Sequence, residues 1–107
     1  MRVKIYHVDA FADSLFQGNS ACVVPLEYWP SNNLLLKIAK ENSLPETAFF
    51  IIKKDFIHLR WFTPDLEMDL CGHATLAAAF CIIEILKYSS DTVVFETLSG
   101  RLKVTQS

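Results

Sequence analysis

Residues 69–87 read DLCGHATLAAAFCIIEILK, and this stretch decides the fold. From His73 onward it contains strong helix formers and is apolar on nearly every side except at Glu84 and Lys87. Such a pattern predicts a central helix over residues 73–87 that the rest of the domain encloses. The run falls short of the about 20 residues needed to cross a bilayer, so no membrane span is predicted.

The remaining segments predict strands, one further helix and short connections. Alternating apolar residues and turn signals predict strands at 1–8, 21–24, 46–52 and 56–62, and one strand on each side of a Ser99-Gly100 turn. Residues 9–19 are predicted to form a loop. A helix is predicted from Pro30-Ser31 to about Asn42. In the first strand, Val3, Ile5 and His7 are expected on one face. Strands grouped in hairpins, without parallel crossovers, indicate the α+β class, and 107 residues fit a single domain.

Composition excludes several classes of function. The net charge is −2 with a pI near 5.8, and no cluster of Lys or Arg gives a footprint for nucleic acid or an anionic membrane. Three cysteines in a chain whose start lacks an apolar signal core predict reduced thiols and a cytoplasmic protein. The 51% hydrophobic content is high enough to suggest that one face is covered by a partner.

The segment DLCGHATL allows a metal site, a thiol nucleophile or a cradle for an anion. Cys71 and His73 are two residues apart, and no second Cys/His pair stands at ligand spacing, so no metal is predicted. Gly72 would permit a tight turn, and the free N–H groups of the helix start would bind a substrate carboxylate. Thr75 could add a hydroxyl donor or could simply belong to the first helical turn. The alternative is an ordinary strand-to-helix turn.

Glu46 stands in NSLPETAFF, among apolar residues. Apolar surroundings disfavour the ionised form of a carboxylate, which suits it to take and return a proton at carbon. The alternative is a strand residue that points to water. Gly18 and Asn19, in FQGNSACVV, form either a plain turn or a second set of ligand-facing amides.

These segments occur together and in order along the chain. The stretches VDAFADSLFQGNSACVVPL, IAKENSLPETAFF, RWFTPDLEMDLCGHATLAAA and VFETLSGRLKV closely resemble the N-terminal half of the phenazine biosynthesis PhzF-like family. The resemblance implies one lobe of the diaminopimelate epimerase-like fold, in which a mixed or antiparallel, barrel-like sheet surrounds the central helix.

The resemblance also implies an isomerase without metal or nucleotide cofactor. Its proton-shuttling Glu falls on Glu46, its GH motif on Gly72 and His73, and its GN motif on Gly18 and Asn19, all serving a small carboxylate-bearing metabolite. Two positions depart from the family pattern. Pro45 replaces a Ser, which removes a hydroxyl and a backbone N–H beside Glu46. Cys71 falls where diaminopimelate epimerases carry a catalytic thiol, which reopens the thiol-base hypothesis for that residue.

Family members close their site between two similar lobes, and the acid of the second lobe has no counterpart in these 107 residues. We therefore expect a complementary second lobe or a symmetric homodimer to complete the site. The alternative is a truncated lobe that only binds a ligand or a protein.

Overall fold

The computed structural model describes residues 3–10, 19–42 and 46–105. The elements in chain order are β1 (Tyr6–Ala10), β2 (Asn19–Pro25), α1 (Asn32–Glu41), β3 (Thr47–Ile52), β4 (Ile57–Phe62), β5 (Glu67–Met68), α2 (Gly72–Phe80), a π-helix (Cys81–Ile85), β6 (Thr92–Thr97) and β7 (Gly100–Thr105). Helix α1 begins at Ser31, whose hydroxyl accepts a hydrogen bond from the Leu34 amide. The strands, α1 and the long apolar helix were all predicted from the sequence; the short strand β5 was not.

All strands join one mixed sheet with the order β1-β2-β3-β4-β6-β7, and β5 pairs with β4. The pairs β1/β2, β3/β4 and β6/β7 are antiparallel. The last two of these pairs are the hairpins that the sequence predicted. However, β2/β3 and β4/β6 are parallel. The prediction of hairpins without parallel crossovers is therefore wrong, because α1 and α2 each return the chain to the end of the sheet where the next strand starts.

The sheet packs a helix on each face, which explains why β3 is buried from Thr47 to Ile51. Helix α1 covers one face of the sheet through Leu35 and Ala39, which pack against Phe49, Ile51 and Phe62.

Helix α2 covers the other face, where the larger of the two clusters of buried residues lies. That cluster joins α2 and the π-helix to side chains from strands across the sheet, among them Val8, Val23, Phe50, Trp61 and Phe95. Tyr6 and Val8 point toward this cluster, whereas His7 is exposed. The register of β1 thus places the even-numbered residues on the α2 side and His7 on the opposite face.

The predicted α+β class is confirmed, but the sheet is not closed into a barrel. Within the described part of the chain, β1 and β7 each pair with a single neighbouring strand. Helix α2 is consequently enclosed on one side only, and Leu76, Phe80 and, in the π-helix, Ile85 remain exposed.

The outermost strand, β7, carries Arg101 and Lys103 as exposed side chains. Gly100 follows the turn at Leu98 and Ser99 and begins β7, and its φ of +94° is a conformation that residues with a Cβ rarely adopt. No helix in residues 3–10, 19–42 and 46–105 is both long and apolar enough to cross a membrane.

Candidate active site

Glu46 lies immediately before β3, and His73 lies in the first turn of α2. The backbone carbonyl of Glu46 accepts a hydrogen bond of 3.1 Å from the Cys22 amide, which fixes the start of β3 beside β2. Because α2 packs across β2 and β3, its N-terminus meets this point of the sheet. The Oε1 atom of Glu46 is 3.2 Å from Nε2 of His73.

The two side chains of this pair are largely buried and incompletely hydrogen-bonded. The side chains of His73 and Glu46 are 22% and 16% exposed, respectively. Their close approach does not have hydrogen-bond geometry, and Glu46 Oε2 and His73 Nε2 have no hydrogen-bond partner among the described residues. Buried polar atoms without a partner cost about 1–3 kcal/mol each, so this corner of the molecule is suited to receive a further polar group.

Cys71 precedes α2, and its sulfur lies near the Glu46 and His73 side chains. It is the N-cap residue, and its side chain makes no capping hydrogen bond to the helix amides. Burial raises the pKa of the Cys71 thiol; the Ala74 amide acts in the opposite direction, and the charge of Glu46 raises the pKa further. These effects favour the protonated thiol over a thiolate nucleophile.

Gly72 begins α2 and is exposed. Its φ lies outside the left-handed region, and a Cβ built on it meets no atom within 4 Å. The tight turn expected from the sequence therefore does not require glycine at this position. The open space beside the first amides of α2 is instead available to a ligand, and those amides carry the positive end of the helix dipole.

Thr75 is buried, and its hydroxyl has two protein partners. The hydroxyl donates a 2.7 Å hydrogen bond to the Cys71 carbonyl and accepts a 2.9 Å hydrogen bond from Nε1 of Trp61. Its single proton is thus already used within the protein. These contacts favour the structural alternative, in which Thr75 is a residue of the first helical turn that holds the start of α2. Substrate binding by Thr75 stays a prediction.

The other predicted site residues lie at the margin of the described structure. Gly18 and Pro45 fall outside the described residues. The backbone of Asn19 pairs with that of Ala10 at the start of β2, and its side chain is not described. A second set of ligand-facing amides at Gly18 and Asn19 therefore stays a prediction.

Sequence reasoning missed two residues that support the site. Trp61 reaches the start of α2 from β4 through Thr75, and the Cys22 amide holds Glu46. Neither residue belongs to a local motif, because both connections depend on pairing between distant strands. The sequence did offer one signal for Trp61, because a tryptophan in an apolar strand has an indole N–H that normally finds a hydrogen-bond partner when it is buried.

Comparisons with known proteins identify the class to which this arrangement belongs. Residues 8–107 match the family model described as "Phenazine biosynthesis-like protein". The chain therefore belongs to the phenazine biosynthesis-like (PhzC-PhzF) family, and the predicted resemblance is confirmed.

Similar proteins come from bacteria and animals. An uncharacterized isomerase of Pseudomonas aeruginosa is 52% identical over 104 residues, which are 97% of this chain and 40% of that protein. A human phenazine biosynthesis-like domain-containing protein is 39% identical over 115 residues, which cover 100% of this chain and 40% of that protein. The chain thus spans about 40% of the length of these curated relatives.

Solved structures agree with the described fold. The crystal structure of a PhzF-family protein from Enterococcus faecalis superposes with a TM-score of 0.93 at 46% identity, over 100% of this chain and 41% of that chain. A Pseudomonas aeruginosa protein described as a predicted epimerase shares the fold, with a TM-score of 0.79 at 19% identity over 100% of this chain and 39% of its own.

Proposed function

We propose that this chain supplies the proton-transfer residue of a PhzF-like isomerase. In this proposal Glu46 takes a proton from one carbon of a small carboxylate-bearing substrate and returns it to another position. The first amides of α2, at Gly72 and His73, hold the substrate carboxylate. The observation that carries the proposal is the placement of the Glu46 carboxylate 3.2 Å from a side chain of the first turn of α2.

The polarity of the two groups supports this division of roles. A substrate carboxylate beside Glu46 itself would be repelled, whereas the helix start offers unpaired N–H donors and a partial positive charge. The reacting carbon would then lie between the amides and the Glu46 oxygens. The Glu46 Oε2 atom, which is buried without a hydrogen-bond partner among the described residues, is the basic atom available to that carbon.

Deuterium incorporation from solvent into the carbon-bound positions of candidate carboxylates tests the proposal. Glu46→Gln keeps the size of the side chain but removes the base, and loss of a general acid/base typically slows a reaction by about 10²–10⁴-fold. We expect exchange by the wild-type chain and a decrease of that order in the variant. Equal, slow exchange in both proteins would show that this chain is not the catalyst and would favour a lobe that only binds.

Glu27→Gln is the matched control. Glu27 is exposed and follows β2, so it lies toward the opposite end of the sheet from Glu46, which precedes the parallel strand β3. The same chemical change at this position should leave deuterium exchange unaltered. A similar loss in both variants would indicate a general effect of removing negative charge.

We further propose that a complementary lobe or a second copy of the chain completes the site. The exposed apolar residues Leu76 and Phe80 on α2 support a covered face, as does the greater length of the relatives. Light scattering at micromolar concentration measures the mass in solution. A dimeric mass supports the second copy, and a monomeric mass leaves the separate lobe as the proposed partner.

A further inference from the structure

The corner formed by Glu46, Cys71 and His73 holds three different metal-binding groups. Their donor atoms, one carboxylate oxygen, the thiol sulfur and one imidazole nitrogen, all lie within 4.8 Å of one another. Donors bound to a single zinc ion lie roughly 3.3–3.8 Å apart, given ion-to-ligand distances of about 2.0–2.3 Å. Small side-chain rotations would therefore place all three atoms around one ion.

The spacing of residues along the sequence could not reveal this set. Cys71 and His73 are near neighbours, but the third donor comes from Glu46 on another element. The packing of α2 against the start of β3 brings the carboxylate to the other two donors. The lack of a second Cys/His pair at ligand spacing therefore does not exclude a metal site in the folded chain.

The unsatisfied atoms of this corner point to a cation as its occupant. Glu46 Oε2 and His73 Nε2 are buried and lack hydrogen-bond partners among the described residues. A divalent cation accepts lone pairs from a carboxylate, an unprotonated imidazole nitrogen and a thiolate at the same time.

The backbone around the thiol is also held in place before any ligand arrives. The Cys71 carbonyl accepts hydrogen bonds from the amide and the hydroxyl of Thr75, at 3.0 and 2.7 Å. The same hydroxyl is anchored by Trp61. Such outer contacts orient metal ligands and commonly change metal affinity by about 10–100-fold when they are removed.

We propose that Glu46, Cys71 and His73 form a three-ligand site for a soft divalent cation such as Zn²⁺, with the fourth position open to water. Cys71 binds as the thiolate and its proton leaves to solvent. Because the ion occupies the lone pairs of Glu46, it inhibits proton transfer. This last consequence rests on the proposed function, whereas metal binding itself does not.

Titration of the metal-free chain with Co²⁺, followed by competition with Zn²⁺, tests the site directly. We expect one ion per chain, with the charge-transfer absorption of a cobalt-thiolate bond and the visible bands of tetrahedral Co²⁺. Cys71→Ser should abolish the charge-transfer band and weaken binding by roughly tenfold or more. Cys22→Ala and Cys81→Ala, which remove buried thiols outside the proposed ligand set, should leave the spectrum unchanged.

Several outcomes would overturn the proposal. These are the lack of saturable binding at micromolar metal, a charge-transfer band that survives Cys71→Ser, and a band that disappears in either control variant. Circular dichroism checks that each variant is folded. If Cys71→Ser does not fold, Glu46→Gln and His73→Gln replace it, since each should weaken Co²⁺ binding while retaining the thiolate band.

The deuterium-exchange assay separates this inference from the proposed function. Inhibition of exchange by Zn²⁺ in the wild-type chain supports both. Saturable, Cys71-dependent Co²⁺ binding without any deuterium exchange would retain the metal site and reject the isomerase. Exchange that depends on Glu46 but is insensitive to Zn²⁺, with no cobalt spectrum, would retain the isomerase and reject the metal site.

Discussion

Replacing Thr75 with Val should destabilise the chain through a single orphaned donor. Valine has nearly the same shape as threonine, so the change removes the hydroxyl without opening a cavity. Trp61, which is fully buried, then loses the partner of its Nε1–H group at 2.9 Å. The Cys71 carbonyl loses the hydroxyl but keeps the Thr75 amide at 3.0 Å.

The expected magnitude follows from these two contacts. An unsatisfied buried donor costs about 1–3 kcal/mol, and the lost hydrogen bond to the Cys71 carbonyl adds about 0.5–1.5 kcal/mol. Thr75→Val should therefore lower the free energy of unfolding by about 2–4 kcal/mol. Domains of this size are typically stable by about 5–15 kcal/mol, so the loss is large enough to measure.

Urea unfolding monitored by circular dichroism measures this loss, with Thr92→Val as the control. Thr92 makes a comparable hydroxyl contact of 3.0 Å to Thr105, but at the surface, where water can replace it. The control should change stability by no more than about 0.5 kcal/mol. A loss below about 1 kcal/mol for Thr75→Val, or equal losses in both variants, would refute the assignment of a structural hydroxyl at position 75.

Two further predictions concern Gly72 and the buried thiol of Cys81. Gly72→Ala should raise the free energy of unfolding by about 0.4–1 kcal/mol, because the new Cβ meets no protein atom within 4 Å and the unfolded chain loses freedom. The same Cβ occupies the space beside the first amides of α2, so Glu46-dependent deuterium exchange should weaken. Gly100→Ala, at φ +94°, should instead destabilise the chain, and a loss of stability in both variants would contradict the reasoning. Burial raises the pKa of Cys81 from 9.0 to about 11, so the folded chain keeps a proton that the unfolded chain releases. The resulting stability is fully present below pH 9 and is lost as the pH rises to 11. In urea unfolding at these two pH values, Cys81→Ala should remove about 2–3 kcal/mol of the pH dependence, and identical pH dependence in both proteins would count against a protonated buried thiol.

The helices and hairpins could be predicted because their signals are local. Ser31 caps α1, and the polar residues between β3 and β4 mark a turn that needs no distant information. The parallel pairs β2/β3 and β4/β6 could not be read in this way, since they depend on where α1 and α2 return the chain. The short strand β5 was missed because Glu67 and Met68 form too short a run to show alternation.

The candidate site was predictable in its residues but not in its geometry. Glu46 and His73 were selected from motifs and apolar context, and the structure brings their side chains together. The closeness of Cys71 to these two side chains depends on how α2 packs against β2 and β3, which no local motif reveals. The conformational freedom of Gly72 is not used in the structure, because α2 starts there without a left-handed residue.

The unclosed sheet has a consequence for the behaviour of the chain in solution. An edge strand with free amides and carbonyls can template the addition of a foreign strand, which is the first step toward fibrous deposits. Arg101 on β7 is paired with Glu96 of β6, whereas Lys103 is exposed. An identical strand approaching that margin would have to desolvate the Lys103 ammonium group and bring it near its own copy, which opposes self-association along this edge.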